Sequence, residues 1–247
     1  MPGFLDQLRN RGSSTSTPAP QQGATTSTMP GLQSSNYATG RGMVSPDGAD
    51  PATANRPKSP LGQKVYDANA ARISKMEPER TADQDGDTAA FEKNFESNKA
   101  RYEDVSARTG IPARLIAAIH WRESGGNFGT YLHQGDPLGK PAVHVPTDIP
   151  VFDKWEDAAV NALQSKKSVQ NDLGMKADTQ DKAAMATYAE YYNGLGYQAR
   201  GQPSPYVFAG TNQYKSGKYV ADGKYDPKTV DRQMGVMGLI GADKADS

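Results

Sequence analysis

The sequence predicts a mainly α-helical domain with long loops and a small β-hairpin, preceded by a disordered N-terminal tail. Three observations predict it: a compositional break near residue 60, helical spacing of apolar residues after it, and long loops rich in Gly, Pro and Tyr. Before the break, Ser, Thr, Pro, Gly, Gln and Ala dominate. Such a segment cannot bury enough apolar surface to offset its chain entropy. We therefore expect a low-complexity tail at 1–60, a helical linker at 61–87 and a folded domain at 88–247.

The helices of the folded part are predicted from apolar residues that recur at helical spacing, such as Phe91 and Phe95. Gly110 suits the end of one helix and Pro112 the first turn of the next. The segment YKSGKYVADGKY, residues 214–225, is typical of a β-hairpin. The predicted helices are 61–76, 88–107, one from Pro112 to about Glu123, 154–167 with a capping box from Asp153 and Glu156, 179–193, and a last one that Asp226 and Pro227 open with Val230, Met234 and Met237 inward.

Charge and composition exclude several classes of protein. The chain has 28 Lys and Arg against 28 Asp and Glu, and no basic stripe with interleaved aromatics, so nucleic-acid binding is not expected. Without cysteine there are no disulfides or cysteine-based metal sites. No apolar run approaches the roughly 18 residues of a membrane span, and the start, MPGFLDQLRNRG, lacks the apolar core of a secretory signal. We expect synthesis in the cytoplasm without a signal peptide, and no cofactor.

One acidic residue, Glu123, falls on the apolar face of its predicted helix. At about 100° of rotation per residue, it lies between Ile119 and Ile116 around the helix axis. It also lies in the last turn, where the helix dipole is negative. Burial and the dipole both disfavour the charged carboxylate and should raise its pKa, as a general acid requires near neutral pH. The plain alternative is that Glu123 ends its helix in solvent or pairs with Arg122 or Lys140.

Two motifs near the ends of predicted helices resemble a known family. The first is ESGGNF, residues 123–128, whose glycines permit close backbone approach. The second is YYNGLGY, residues 191–197. In this order they resemble the soluble lytic transglycosylases and goose-type lysozymes of the lysozyme-like superfamily, over residues 95–240. The resemblance implies a lysozyme-like helical domain in which Glu123 is the general acid that cleaves the β-1,4 bond between N-acetylmuramic acid and N-acetylglucosamine of peptidoglycan.

The second catalytic group is predicted in the loop that follows. In a glycosidase a second carboxylate acts as nucleophile at about 5–5.5 Å from the acid, or activates water at about 6.5–9.5 Å. Asp136 is the first candidate, with an ordinary Asp-Pro turn as its alternative, and Asp148 is the second. If neither faces the cleft, the 6-hydroxyl of the sugar attacks and leaves an anhydro end, as in lytic transglycosylases. The predicted substrate-binding residues are Ser124, Phe128, His133, Tyr192, Asn193, Tyr197 and Tyr206.

Three other functions are alternatives to this prediction. His133, Asp136 and His144 could hold zinc or iron, but no HExxH pair accompanies them, and we expect no metal. The second alternative is a Ser-His-Asp enzyme, but Ser124 lacks the GxSxG context of a serine nucleophile. The third alternative is a structural component of a phage tail or contractile injection system that binds peptidoglycan without cleaving it.

The expected partners are peptidoglycan strands and, through the N-terminal tail, a virion or a contractile or type VI injection apparatus. The substrate lies outside the bacterial inner membrane, and no signal peptide is visible. We therefore expect delivery to the periplasm or cell wall by a holin, as part of a virion, or by an injection apparatus.

Overall fold

The computed structural model describes residues 56–132, 135–144, 146–221 and 223–241. Over these ranges the chain is mainly helical with a two-stranded sheet, which confirms this part of the predicted fold class. The predicted tail lies outside them up to residue 55. No helix of the described ranges is long and apolar enough to cross a bilayer. The elements are α1 Pro60–Ile73, α2 Ala82–Ser97, α3 Lys99–Thr109, α4 Ala113–Ser124, α5 Trp155–Gln164, α6 Lys167–Asp172, α7 Lys182–Asn193, α8 Gly196–Ala199, α9 Pro205–Phe208, β1 Lys218–Ala221, β2 Lys224–Asp226 and α10 Val236–Ile240.

Helix α4 lies at the centre of the core. Every residue from Leu115 to Trp121 is buried, and the helix packs against α2, α3 and α10. A helix buried on all sides belongs to the interior rather than to the surface of a domain. The sequence indicated a single apolar face here, whereas the structure encloses the whole middle of the helix. The two ends of the helix are partly exposed, and Glu123 lies at the C-terminal end.

Helix α7 is the second enclosed helix, with every residue from Ala183 to Glu190 buried. Helix α1 packs along it and buries Val65 and Asn69. The Tyr66 hydroxyl donates a hydrogen bond of 2.7 Å to the Asp181 carboxylate at the start of α7. The helical part of the predicted linker is therefore packed against the core.

The helix predicted at 88–107 is instead two helices, α2 and α3, separated at Asn98. Asn98 has φ −121° and ψ 17°, and its side-chain amide donates to the Asn94 carbonyl at 2.9 Å. A side chain that bonds the nearby backbone competes with continuation of the helix. Helix α2 also begins earlier than predicted, because Thr81 and Gln84 form a capping box.

The segment after Asp226 was predicted to be helical from its first turn, but α10 begins only at Val236. Asp226 ends β2, and its carboxylate accepts hydrogen bonds from the Lys228 amide and the Thr229 hydroxyl. This turn replaces the first turn of the predicted helix. Of the residues predicted to point inward here, Val230 is exposed and Met234 and Met237 are buried.

The capping box predicted from Asp153 and Glu156 is also wrong. Helix α5 has Lys154 as its N-cap, without a side-chain hydrogen bond. Glu156 instead pairs with Arg101 of α3 at 2.5 Å. Glu156 therefore pairs with Arg101 across the α3–α5 contact, and it is not available for a capping box.

The predicted β-hairpin is confirmed, since β1 and β2 pair antiparallel. Tyr219 and Tyr225 face each other in the register, and both rings pack edge-on against Tyr197 of α8, at centroid distances of 5.0 and 6.3 Å. The Tyr219 amide also donates to the Tyr197 hydroxyl at 3.0 Å. These contacts fix the hairpin to α8.

Candidate active site

Glu123 lies in the last turn of α4, where the enclosed helix reaches the edge of the core. Gly125 and Gly126 then reverse the chain with φ of 64° and 72°, a left-handed conformation that favours glycine. A Cβ atom on Gly126 would lie 2.9 Å from the Asn94 side chain, so close packing requires glycine there as well. This double-glycine turn ends the helix immediately after Glu123.

The Glu123 carboxyl is held by Tyr206 of α9, whose hydroxyl donates to Oε1 at 2.8 Å. Burial raises the pKa of Glu123 to about 7, while the Tyr206 hydrogen bond and the Arg122 charge oppose that rise. The residue keeps part of its solvent exposure, yet its carboxyl is desolvated enough for burial to dominate the pKa. Both protonation states are therefore populated near neutral pH, in the direction expected from the sequence.

Tyr192, in the last turn of α7, lies near the same carboxyl. Its side chain is buried, and its hydroxyl has no hydrogen-bond partner among the described residues. Burial holds the pKa of Tyr192 well above its ordinary value, and the negative charge of Glu123 adds to this effect. The phenol is therefore neutral. A buried hydroxyl left unsatisfied costs about 1–3 kcal/mol. This hydroxyl is therefore an unsatisfied polar group that the protein encloses near Glu123.

His120 fixes the turn that follows Glu123. It is fully buried, and its Nε2 donates to the Asn127 carbonyl at 3.1 Å, while Nδ1 lies 3.0 Å from the Tyr102 hydroxyl. Burial lowers the pKa of His120 to about 4, so the ring is neutral. A proton on Nε2 then leaves Nδ1 as an acceptor. Sequence reasoning missed this residue, because a single histidine in an apolar helix has no distinctive spacing.

Two predicted substrate-binding residues of the ESGGNF motif make contacts within the protein. The Ser124 hydroxyl donates to the His120 carbonyl at 3.3 Å. The Phe128 ring packs edge-on against Trp155 at a centroid distance of 4.7 Å, and the Arg101 guanidinium lies 3.9 Å from its centroid. Both residues are half-buried. These contacts support the turn, and a role in substrate binding stays a prediction.

Asp136 organises the loop that contains it. It is 4% exposed, and its Oδ2 accepts hydrogen bonds from the Val143 and His144 amides at 2.8 and 2.9 Å. Its Oδ1 lies 2.6 Å from Nδ1 of His144. Burial alone would raise the pKa of Asp136, but these hydrogen bonds outweigh it and lower the pKa. Both oxygens thus bind the loop, and these contacts do not support the predicted role as second catalytic group.

The remaining predicted site residues lie in different places. Asn193 is half-buried at the end of α7, Tyr197 is buried under the hairpin, and Asp148 is exposed. His133 lies outside the described residues. Among the predicted residues, the structure brings together Glu123, Tyr192 and Tyr206, and it gives Ser124, Phe128, Asp136 and Tyr197 other contacts.

A buried ion pair lies beside the carboxyl. Arg122 donates to Oδ2 of Asp231 at 2.5 Å, with side chains 8% and 3% exposed. The Arg122 guanidinium also lies 5.4 Å from the centroid of the Tyr206 ring, and Lys218 Nζ lies 3.2 Å from the same Asp231 oxygen. The direct partner of Arg122 is therefore Asp231 rather than Glu123. Sequence reasoning missed this pair, because Asp231 lies far along the chain in an irregular segment.

Within the part of the chain that the structure describes, no three His, Asp or Glu side chains are grouped as metal ligands would be; His133 is not in that part. Comparison of the chain with models of protein families, with curated proteins and with solved structures found no match. Membership of the lysozyme-like superfamily therefore stays a prediction from two sequence motifs, and any function has to be argued from the chemistry of the site.

Proposed function

We propose that the protein is a muramidase, a peptidoglycan-degrading glycosidase that cleaves the β-1,4 bond between N-acetylmuramic acid and N-acetylglucosamine. One observation carries the proposal: a carboxyl with a pKa of about 7 lies at the end of an enclosed helix beside Tyr192 and Tyr206. Both tyrosines are neutral, because burial holds the pKa of each well above its ordinary value. Such a carboxyl can donate a proton near neutral pH. The motifs ESGGNF and YYNGLGY, which contain Glu123 and Tyr192, support the same function.

The hydrogen bond from Tyr206 determines which oxygen of Glu123 acts. Because the hydroxyl donates to Oε1, the neutral carboxyl carries its proton on Oε2. Transfer of that proton to the glycosidic oxygen breaks its bond to the anomeric carbon and leaves a carboxylate. Tyr206 stabilises that carboxylate through the bond that already opposes the rise in pKa. Tyr192 provides a second neutral hydroxyl for the sugar or the carboxylate.

The contacts of Asp136 favour a second candidate reaction, that of a lytic transglycosylase. Both oxygens of Asp136 accept hydrogen bonds within its own loop, which leaves this carboxylate poorly available to activate water. The 6-hydroxyl of the muramic acid residue would then attack the anomeric carbon and give its proton to the Glu123 carboxylate. The product would carry a 1,6-anhydro end, and no water would be consumed.

Digestion of purified peptidoglycan sacculi, followed by mass spectrometry, tests the proposal. We expect the wild-type chain to release soluble fragments, and Glu123→Gln to reduce the rate by about 10²–10⁴-fold, since the glutamine amide is not an acid near neutral pH. Glu103→Gln, at an exposed position of α3, is the matched control and should retain the wild-type rate. Reducing ends among the products would indicate hydrolysis, and anhydro ends would indicate transglycosylation.

Two outcomes would contradict the assignment. A wild-type rate in folded Glu123→Gln would remove Glu123 from the chemistry. Binding of sacculi by the wild-type chain without release of fragments would favour the non-catalytic peptidoglycan-binding component instead.

A further inference from the structure

The segment after the hairpin is attached to the end of α4 through Arg122. Its guanidinium donates to the Gln233 carbonyl at 3.0 Å as well as to Asp231, and the Gln233 side-chain amide donates back to the Arg122 carbonyl at 2.6 Å. Buried charges of this kind persist only when they are paired and hydrogen-bonded. The irregular segment therefore holds the residue that immediately precedes Glu123.

Three elements supply the groups nearest to Glu123. Tyr206 of α9 donates to it, Tyr192 of α7 lies close by, and Arg122 of α4 supplies a positive charge. Behind Arg122, Asp231 supplies a negative charge and Lys218 of β1 a positive one that is partly exposed. The charge of Arg122 is thus compensated mainly by Asp231.

We propose that Asp231 is a positioning residue of the Glu123 site: it neutralises Arg122 and fixes the guanidinium against the Tyr206 ring, so that Glu123 can retain its proton near neutral pH. The role of Asp231 in catalysis rests on the proposed function. Its effect on the protonation of Glu123 does not. Without Asp231, the uncompensated Arg122 charge would favour the Glu123 carboxylate. The ion pair is therefore part of the acid site and not only of the core.

Titration of Glu123 by carbon-13 NMR in the full chain tests this directly. The signal is assigned by its absence in Glu123→Gln. We expect Asp231→Asn to move the titration midpoint from about 7 to lower pH by roughly 1. The protonated fraction at pH 7, and with it any cleavage of sacculi, should fall about five-fold. Asp157→Asn, which breaks the exposed pair with Arg108, is the matched control and should leave the midpoint in place.

Two further variants separate charge from structural damage. Lys218→Met removes the positive charge next to Asp231 and should move the Glu123 midpoint to higher pH by a smaller amount, because Lys218 is 39% exposed. The double variant Arg122→Met with Asp231→Asn removes both charges, so it should reverse the fall seen in Asp231→Asn alone. If Asp231→Asn does not fold, the titration midpoint of Glu123 in Lys218→Met tests the inference instead.

An unchanged midpoint in folded Asp231→Asn would overturn the inference, and so would an unchanged midpoint in Lys218→Met if only that variant folds. Opposite shifts in the two variants would support it. The titration does not require activity, so the two proposals can fail separately. Shifted midpoints in a chain that cleaves nothing would reject the muramidase function alone, and cleavage without a shift would reject the role of Asp231 alone.

Discussion

Glu123 is a partly buried acidic side chain and Asp136 a buried one, and the protein favours a different protonation state in each. Glu123 accepts one hydrogen bond, from the Tyr206 hydroxyl, and burial raises its pKa to about 7. Asp136 accepts hydrogen bonds from two backbone amides and contacts the ring of His144. Together these interactions outweigh burial and lower the pKa of Asp136. Burial prevails over the hydrogen bond at Glu123, whereas the hydrogen bonds prevail over burial at Asp136, so the balance of the two decides which carboxyl keeps its proton.

The difference has an energetic meaning. A charge on Glu123 destabilises the folded state, while a charge on Asp136 stabilises its loop. A residue kept for proton donation is expected to lower stability, whereas a residue kept for structure is expected to raise it. Substitution of each carboxyl should therefore change stability in opposite directions and over different ranges of pH.

The largest expected effect on stability belongs to Glu123→Gln. The folded pKa of about 7 exceeds the unfolded value of about 4.3, so the contribution of Glu123 to stability is complete at low pH and is lost as pH rises through 7. The variant lacks this loss, so it should be more stable than the wild type at pH 8 by about 2–3 kcal/mol. The difference should disappear near pH 4. Urea denaturation at both pH values measures it, and equal stabilities at pH 8 would mean that the carboxyl is not desolvated.

Asp136→Asn should have the opposite sign and a smaller magnitude. Because the folded pKa is lowered, the stabilisation is present above the unfolded pKa of about 3.9 and is lost as pH falls through the folded value. At pH 7 the variant should lose about 1–2 kcal/mol and expose the Val143 and His144 amides to faster hydrogen exchange. Its loss of activity should be smaller than that of Glu123→Gln. An equally large loss in a folded variant would support Asp136 as a catalytic group.

The sequence was sufficient to locate Glu123, because its position around one helix and the following glycines are local properties. It was not sufficient to find the groups that tune Glu123. Tyr206 was predicted as a sugar-stacking residue, and Asp231 was not singled out. Their partners in α4 are 83 and 109 residues away in the sequence, and a local sequence pattern cannot reveal contacts between residues so far apart.

The same division applies to the fold. Apolar periodicity predicted α4 and α7, where burial decides the structure. It failed at Asn98 and Asp226, where single side chains bond the nearby backbone and replace a helical turn. The start of α2 could have been predicted, since Thr81 and Gln84 have the spacing of a capping box.

The smallest expected effect is that of Tyr206→Phe, which removes the hydrogen bond from the Tyr206 hydroxyl to the Glu123 carboxylate. The pKa of Glu123 should then rise above about 7, so the alkaline limb of the activity profile should move to higher pH, by less than about 1. Tyr131→Phe is the control from the Asp136 loop, because the Tyr131 hydroxyl donates to the Lys140 carbonyl at 2.9 Å. It should lose about 1 kcal/mol of stability and leave the pH profile in place.

Tyr206→Phe also distinguishes two roles for the tyrosine. If its hydroxyl acts only on the carboxyl, the maximum rate should change little while the profile shifts, and KM should stay constant. If the hydroxyl binds the sugar, as the sequence predicted, KM should rise without any shift of the profile. A profile that moves to lower pH would contradict both, because the loss of a donor to a carboxylate cannot favour its charged form.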